Sequence, residues 1–113
     1  MQIVSDSIAL DELKKMAAGL FDGMVKAVVD VKRELLAVDA ELHADLEALL
    51  IKNGSSQKNL WGINLYPELK DEGFIEFDSM INLRPSQDNK SRGVGDPVIR
   101  KQIVAIINNK VKR

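Results

Sequence analysis

The chain has 113 residues, of which 45% are apolar and 29% charged, with a net charge of −1 and no cysteine. That composition describes one globular domain: it is too apolar for a disordered chain, and no apolar run approaches the roughly 20 residues that cross a bilayer. The missing cysteines exclude disulfides, thiolate metal sites and a thiol nucleophile, and the start from Met1 to Asp6 lacks the basic and apolar regions of a signal peptide, so the expectation is a cytoplasmic protein with no membrane role.

The near-neutral total hides a division along the chain. Residues 84–113 carry +6, and the first 83 carry −7. A basic final third can attract anions, and it gives weak support to a nucleic-acid partner. It also serves simply to neutralise an acidic remainder within one fold.

In chain order, a short apolar start at Ile3-Val4 is followed by a helix predicted from Ile8 to Leu20. There Leu13, Met16, Ala17 and Leu20 fall at helical spacing, and Asp11 and Glu12 complement the positive end. Past Gly23, Val25, Ala27, Val29 and Val31 alternate with Lys26, Val28, Asp30 and Lys32 as a strand with a buried face.

Residues 34–53 fit two periodicities. One reading is a single helix carrying Leu35, Val38, Leu42, Leu46 and Leu49. The preferred reading is a strand over Glu34 to His43, reached by a hairpin turn at Lys32-Arg33, and then a short helix capped by Asp45 and ended at Gly54.

Leu60 to Tyr66 and Phe74 to Leu83 read as a second strand pair. In it Ile75, Phe77, Ile81 and Leu83 face the core with Trp61, Ile63 and Leu65, while Asn64, Glu76, Asp78, Asn82 and Arg84 form a polar face. A loop from Pro85 to Gly95 leads to Asp96-Pro97, an N-cap followed by proline at the first helical position. The last helix then buries Ile99, Ile103, Ile106 and Ile107 and leaves Arg100, Lys101, Gln102, Asn108 and Lys110 in water. The resulting fold class is α+β, with two layers: a mostly antiparallel sheet and about three helices on one face.

Chemistry concentrates in two places. The stretch from Asp78 to Gly93 offers guanidinium forks, hydroxyls and a nearby helix start, which suits an anion; the candidate ligand residues are Asn64, Asp78, Asn82, Arg84, Asn89, Lys90 and Arg92. Its spacing matches no phosphate motif, and arginines paired with Asp78 or Glu76 would explain the same residues structurally. The second place is His43, the one histidine, with Asp45 or Asp78 as an acid/base partner or metal ligand. Asp30 or Asp39 is a further oxygen donor, and Asp45 has a simpler use as a helix cap.

Serine chemistry is weaker. Ser79, Ser86 and Ser91 lack a nucleophile elbow, and a triad would have to use His43. Trp61 can stack on a base, although core packing accounts for it more simply.

Three segments carry a resemblance that spans nearly the whole chain: Leu60-Trp61-Gly62-Ile63-Asn64-Leu65-Tyr66-Pro67, Phe77 to Ser86, and Glu41-Leu42-His43-Ala44-Asp45. Together they resemble a family of short prokaryotic proteins catalogued as a domain of unknown function. The resemblance implies no activity, substrate or cofactor. It maps motif positions onto His43, Asp45, Trp61, Asn64, Asp78, Asn82, Arg84 and Asn89, and it implies a glycine near Asp39-Ala40, from which this chain departs.

The leading functional expectation is a small binding or regulatory module that engages an anionic small ligand or partner through the polar sheet face and the loop 84–95. The alternatives are a small metal-dependent or acid/base hydrolase using His43 with Asp45 or Asp78, and a homodimer or other homo-oligomeric structural protein. The distance from His43 to Asp78 and Arg84 separates them.

Overall fold

The computed structural model describes residues 1–19 and 22–113. Its strands and helices, in chain order, are β1 Gln2–Val4, β2 Ile8–Ala9, α1 Leu10–Ala18, β3 Val25–Asp30, β4 Leu35–Val38, α2 His43–Lys52, β5 Leu60–Leu65, β6 Ile75–Glu76, α3 Pro97–Lys110 and β7 Val111–Lys112. Five strands form an antiparallel sheet in the order β1-β4-β3-β5-β6, and β2 pairs with β7 in a separate parallel ribbon. The α+β class and the antiparallel sheet agree with the sequence, and among the described residues no helix is long and apolar enough to cross a membrane.

The helices do not share one face of the sheet. Strand alternation sends Ala27, Val29, Leu36, Val38, Trp61 and Ile63 into a larger core with Leu13 and Ala17 of α1 and Ile103 and Ile107 of α3. It sends Val28, Ala37 and Leu60 to the opposite side, against Leu46 and Leu50 of α2. In β3 the residues Val25, Ala27 and Val29 face the larger core, and on the other face Val28 packs toward α2 between Lys26 and the buried Asp30.

The hairpin between β3 and β4 turns where expected. Asp30 is fully buried, and its Oδ1 accepts from the Lys32 and Arg33 N–H groups at 2.9 Å each, closing the turn. The strand is shorter than predicted: β4 ends at Val38, and Asp39 then takes φ of 75°, a left-handed conformation that glycine adopts freely and aspartate tolerates better than most residues. The family resemblance implies a glycine in this neighbourhood, near Asp39-Ala40.

Helix α2 begins at His43 with Leu42 as its N-cap, so Asp45 is an exposed residue of the first turn rather than the cap. The first helix starts at Leu10, because Ile8 and Ala9 are held by β7; the predicted end at Leu20 lies outside the described residues. The last helix begins as predicted, with the Asp96 carboxylate accepting from the Val98 N–H at 2.8 Å and Pro97 at the first position. Lys110 is not wet: it is buried, and its Nζ donates to the Ser5 carbonyl at 2.6 Å.

The largest correction falls on Phe74 to Leu83, predicted as one long strand. Only Ile75 and Glu76 pair with β5, and the chain then turns through a 3-10 segment at Met80–Asn82. Ser79 starts that turn, its Oγ accepting from the Ile81 N–H. Ile75 and Phe77 consequently pack on the larger core, Ile81 packs on the α2 side, and Leu83 is exposed.

Candidate functional site

The lost strand leaves the outer edge of β5 without backbone partners beyond Asn64. Side chains take their place. The Asn82 amide closes on Gly62 from both sides: its Oδ1 accepts from the Gly62 N–H at 2.8 Å and its Nδ2 donates to the Gly62 carbonyl at 2.9 Å. Two residues along β5, Arg84 donates from Nη2 to the Leu60 carbonyl and from Nη1 to Gln57, both at 2.6 Å, with its guanidinium stacked 4.0 Å from the centre of the Trp61 ring.

Asn89 holds the following loop. It donates to the carbonyls of Asn82 and Gly93 at 2.7 and 2.8 Å and accepts from the Gly95 N–H at 3.0 Å. Asn82, Arg84 and Asn89 are therefore buried framework groups, spent on carbonyls and amides that would otherwise be unpaired. The polar face expected around them is a sealed edge, and Lys90 lies exposed on the loop beyond it.

The other candidates converge elsewhere. A cavity of about 500 Å³ opens at the N-terminus of α2 and is lined by His43, Asn64, Tyr66, Glu76, Asp78 and Arg92 among others. Its floor is a polar row across the sheet: Lys26 of β3 stands opposite Asn64 of β5, which stands opposite Glu76 of β6. Arg92 reaches the cavity because its backbone carbonyl is fixed by the Ser79 N–H and Asn82 Nδ2, both at 2.9 Å, and its Nε then donates to Asp78 Oδ1 at 2.7 Å. His43 thus shares a cavity with Asp78 and Arg92, and neither Arg84 nor Asp45 lines it.

His43 and Asn64 are the most constrained groups. The imidazole Nε2 lies 2.8 Å from the Ile63 carbonyl; a carbonyl only accepts, so Nε2 carries the proton and Nδ1 is left as an acceptor. Burial pushes the His43 pKa below the ordinary imidazole value, helped by nearby Lys26 and opposed by the Ile63 hydrogen bond, by the hydrogen bond the charged ring makes to the Asn64 side chain and by the charge of Asp78. The ring is neutral at pH 7.

Asn64 is 4% exposed, and its Nδ2 donates to Glu76 Oε1 at 2.8 Å and to the Asp78 carbonyl at 3.2 Å. Both partners are pure acceptors, which fixes the amide orientation and leaves Oδ1 buried with no hydrogen-bond partner. Glu76 Oε1 also accepts from the Tyr66 hydroxyl at 3.1 Å. Partial burial, that hydrogen bond and the charges of Glu76, Asp22 and Asp78 push the Tyr66 pKa up, so the phenol stays protonated.

Among the described residues, no three His, Asp or Glu side chains are grouped so as to hold a metal ion. Asp30 serves the hairpin turn, so it is not drawn toward His43. Ser79 lines the cavity, but its hydroxyl accepts from the Ile81 N–H, and Trp61 is core under Arg84.

Lys26, Asp22 and Tyr66 were not singled out as site residues from sequence. Lys26 is legible as a charged position among the apolar residues Val25, Ala27, Val28 and Val29, but locating it beside Asn64 requires the strand register.

The fold and cavity define an α+β domain with helices packed on both faces of its central sheet and a cavity at the N-terminus of α2 lined by Lys26, Asn64 and Glu76. The chain belongs to the family of proteins of unknown function DUF5674, whose model matches residues 2–110. No curated protein and no solved structure matches it.

Proposed function

We propose that the protein is a small-molecule binding module whose ligand sits in the cavity at the N-terminus of α2, against Asn64 and His43. The observation that carries this reading is Asn64, a residue of the cavity lining whose buried Oδ1 has no hydrogen-bond partner. A buried acceptor left without a donor costs about 1–3 kcal/mol, and a bound donor removes that cost.

This moves the site from the loop 84–95 to the sheet row Lys26-Asn64-Glu76, and it keeps Asn64, Asp78 and Arg92 from the original ligand set. The lining carries Asp22, Glu76 and Asp78 against Lys26 and Arg92, so charge gives no preference for an anion. A cytoplasmic location accords with this use, since small polar metabolites are the natural occupants of such a cavity.

A thermal-shift screen of small polar metabolites tests the reading, with Ala44→Phe as control. Ala44 is an exposed residue of the first turn of α2 and lines the cavity, so phenylalanine there adds bulk at the cavity while every residue of the polar row is kept. Ligand-dependent stabilisation that disappears in the variant supports the proposal; stabilisation that persists, or none in the wild type, counts against it.

A second reading has its own observation. His43 offers a neutral Nδ1 acceptor and Tyr66 a protonated phenol in one cavity, one group able to take a proton and one able to give it. In this reading His43 takes a proton from a bound substrate. Turnover that rises with pH through the depressed His43 pKa supports it, and a pH-independent rate with His43→Gln fully active contradicts it.

A further inference from the structure

We infer that the cavity is built for a neutral amide, a primary carboxamide or a cyclic amide, attached to an apolar body. The inference rests on the binding reading above and names its ligand class. Asn64 Oδ1 requires an N–H or O–H donor, since the other end of its amide is held by Glu76 Oε1 and the Asp78 carbonyl.

The surrounding charges are mixed, so an ionised head group of either sign meets repulsion as well as attraction. An anion meets Asp22, Glu76 and Asp78, and a cation meets Lys26, Arg92 and the positive end of α2, where no side chain caps the first amides. A neutral amide escapes both penalties. It supplies the N–H that Asn64 lacks, and its carbonyl can accept from the cationic or backbone donors in the same lining.

The mouth of the cavity specifies the rest of the molecule. Leu42 and Met80 both line it and are 58% and 62% exposed. Large apolar side chains at the rim of a polar cavity gain from a hydrocarbon or aromatic group that covers them. An amide alone leaves them wet.

Four probes of graded chemistry test this by NMR titration of the 15N-labelled protein: benzamide, benzoate, benzamidine and acetamide. The first three share shape and differ in head-group charge, and the last lacks the ring. Benzamide is expected to bind saturably, shifting the Asn64 side-chain amide and His43, with benzoate, benzamidine and acetamide weaker by roughly tenfold or more each.

Leu42→Ala and Met80→Ala, both changes at exposed side chains that add no capping group, are expected to weaken benzamide severalfold without altering the fold. Benzoate or benzamidine binding in the cavity as tightly as benzamide, or benzamide binding unaffected by both rim variants, overturns the amide assignment and leaves the binding site standing. If no probe perturbs the cavity and the metabolite screen is also blank, the binding reading fails and this inference fails with it.

Discussion

Asn82 occupies the place of a missing strand residue opposite Gly62, accepting from its N–H at 2.8 Å and donating to its carbonyl at 2.9 Å. The same Nδ2 reaches the Arg92 carbonyl at 2.9 Å, so this one amide ties the edge of β5 to the segment that carries Arg92 into the cavity. Asn82→Leu removes these bonds at a fully buried position and is expected to lower stability by about 2–4 kcal/mol. Chemical denaturation with an unchanged m-value checks it; a loss within experimental error would mean that the edge needs no such partner.

Gly62 permits that approach because it has no side chain. A Cβ there would lie 2.6 Å from both Cβ and Oγ of Ser79 and 3.1 Å from Cγ1 of Ile81. Gly62→Ala should therefore cost about 2–4 kcal/mol through overpacking. Ser79→Gly removes both of the closest atoms, so the double variant should recover part of the loss relative to the sum of the single changes. Strict additivity in the double-mutant cycle would show that the crowding lies elsewhere.

Arg84 predicts a contrast between stability and binding. Its two hydrogen bonds to Leu60 and Gln57 and its stacking on Trp61 use the planar fork of the guanidinium, which an ammonium lacks. Arg84→Lys is expected to destabilise the fold by about 1–3 kcal/mol while leaving the affinity of the folded protein for its ligand unchanged. Calorimetric titration well below the unfolding temperature separates these quantities. A large affinity loss with unaltered stability would return Arg84 to the binding surface.

His43 makes stability depend on pH in a defined direction. Its folded pKa lies below the unfolded value of 6.5, so between those two values the unfolded chain binds more protons than the folded one. The contribution of the neutral ring is complete above about 6.5 and declines as the pH falls toward the folded pKa. His43→Gln should flatten this acid-side decline relative to wild type. An unchanged slope between the two pH profiles would show that the imidazole is not held neutral by the fold.

The sequence made several elements legible because local and tertiary forces agree in them. β3 and β5 follow from alternation, and α3 follows from Asp96-Pro97. The family resemblance also pointed to His43, Asn64 and Asp78.

It misled over Asn82, Arg84 and Asn89 for a physical reason: a polar residue at strand spacing looks the same whether it faces water or replaces a backbone partner. Asp45 misled similarly, since a good capping residue just inside a helix resembles one at its start, and here α2 begins two residues earlier at His43. The cavity itself depends on the pairing of Lys26 with Asn64 and Asn64 with Glu76. Strand order and register set that arrangement, and neither is written in local periodicity.

The central claim is that ligand chemistry belongs to Asn64 and His43, whereas Asn82, Arg84 and Asn89 are framework. NMR mapping of a fragment screen on the 15N-labelled protein tests it directly, because the side-chain amides of all three asparagines report separately. Binding fragments are expected to shift Asn64, with His43, Tyr66 and Asp78, and to leave Asn82 and Asn89 where they are. Shifts centred on Asn82, Arg84, Asn89 and Lys90 with a silent Asn64 would contradict the account.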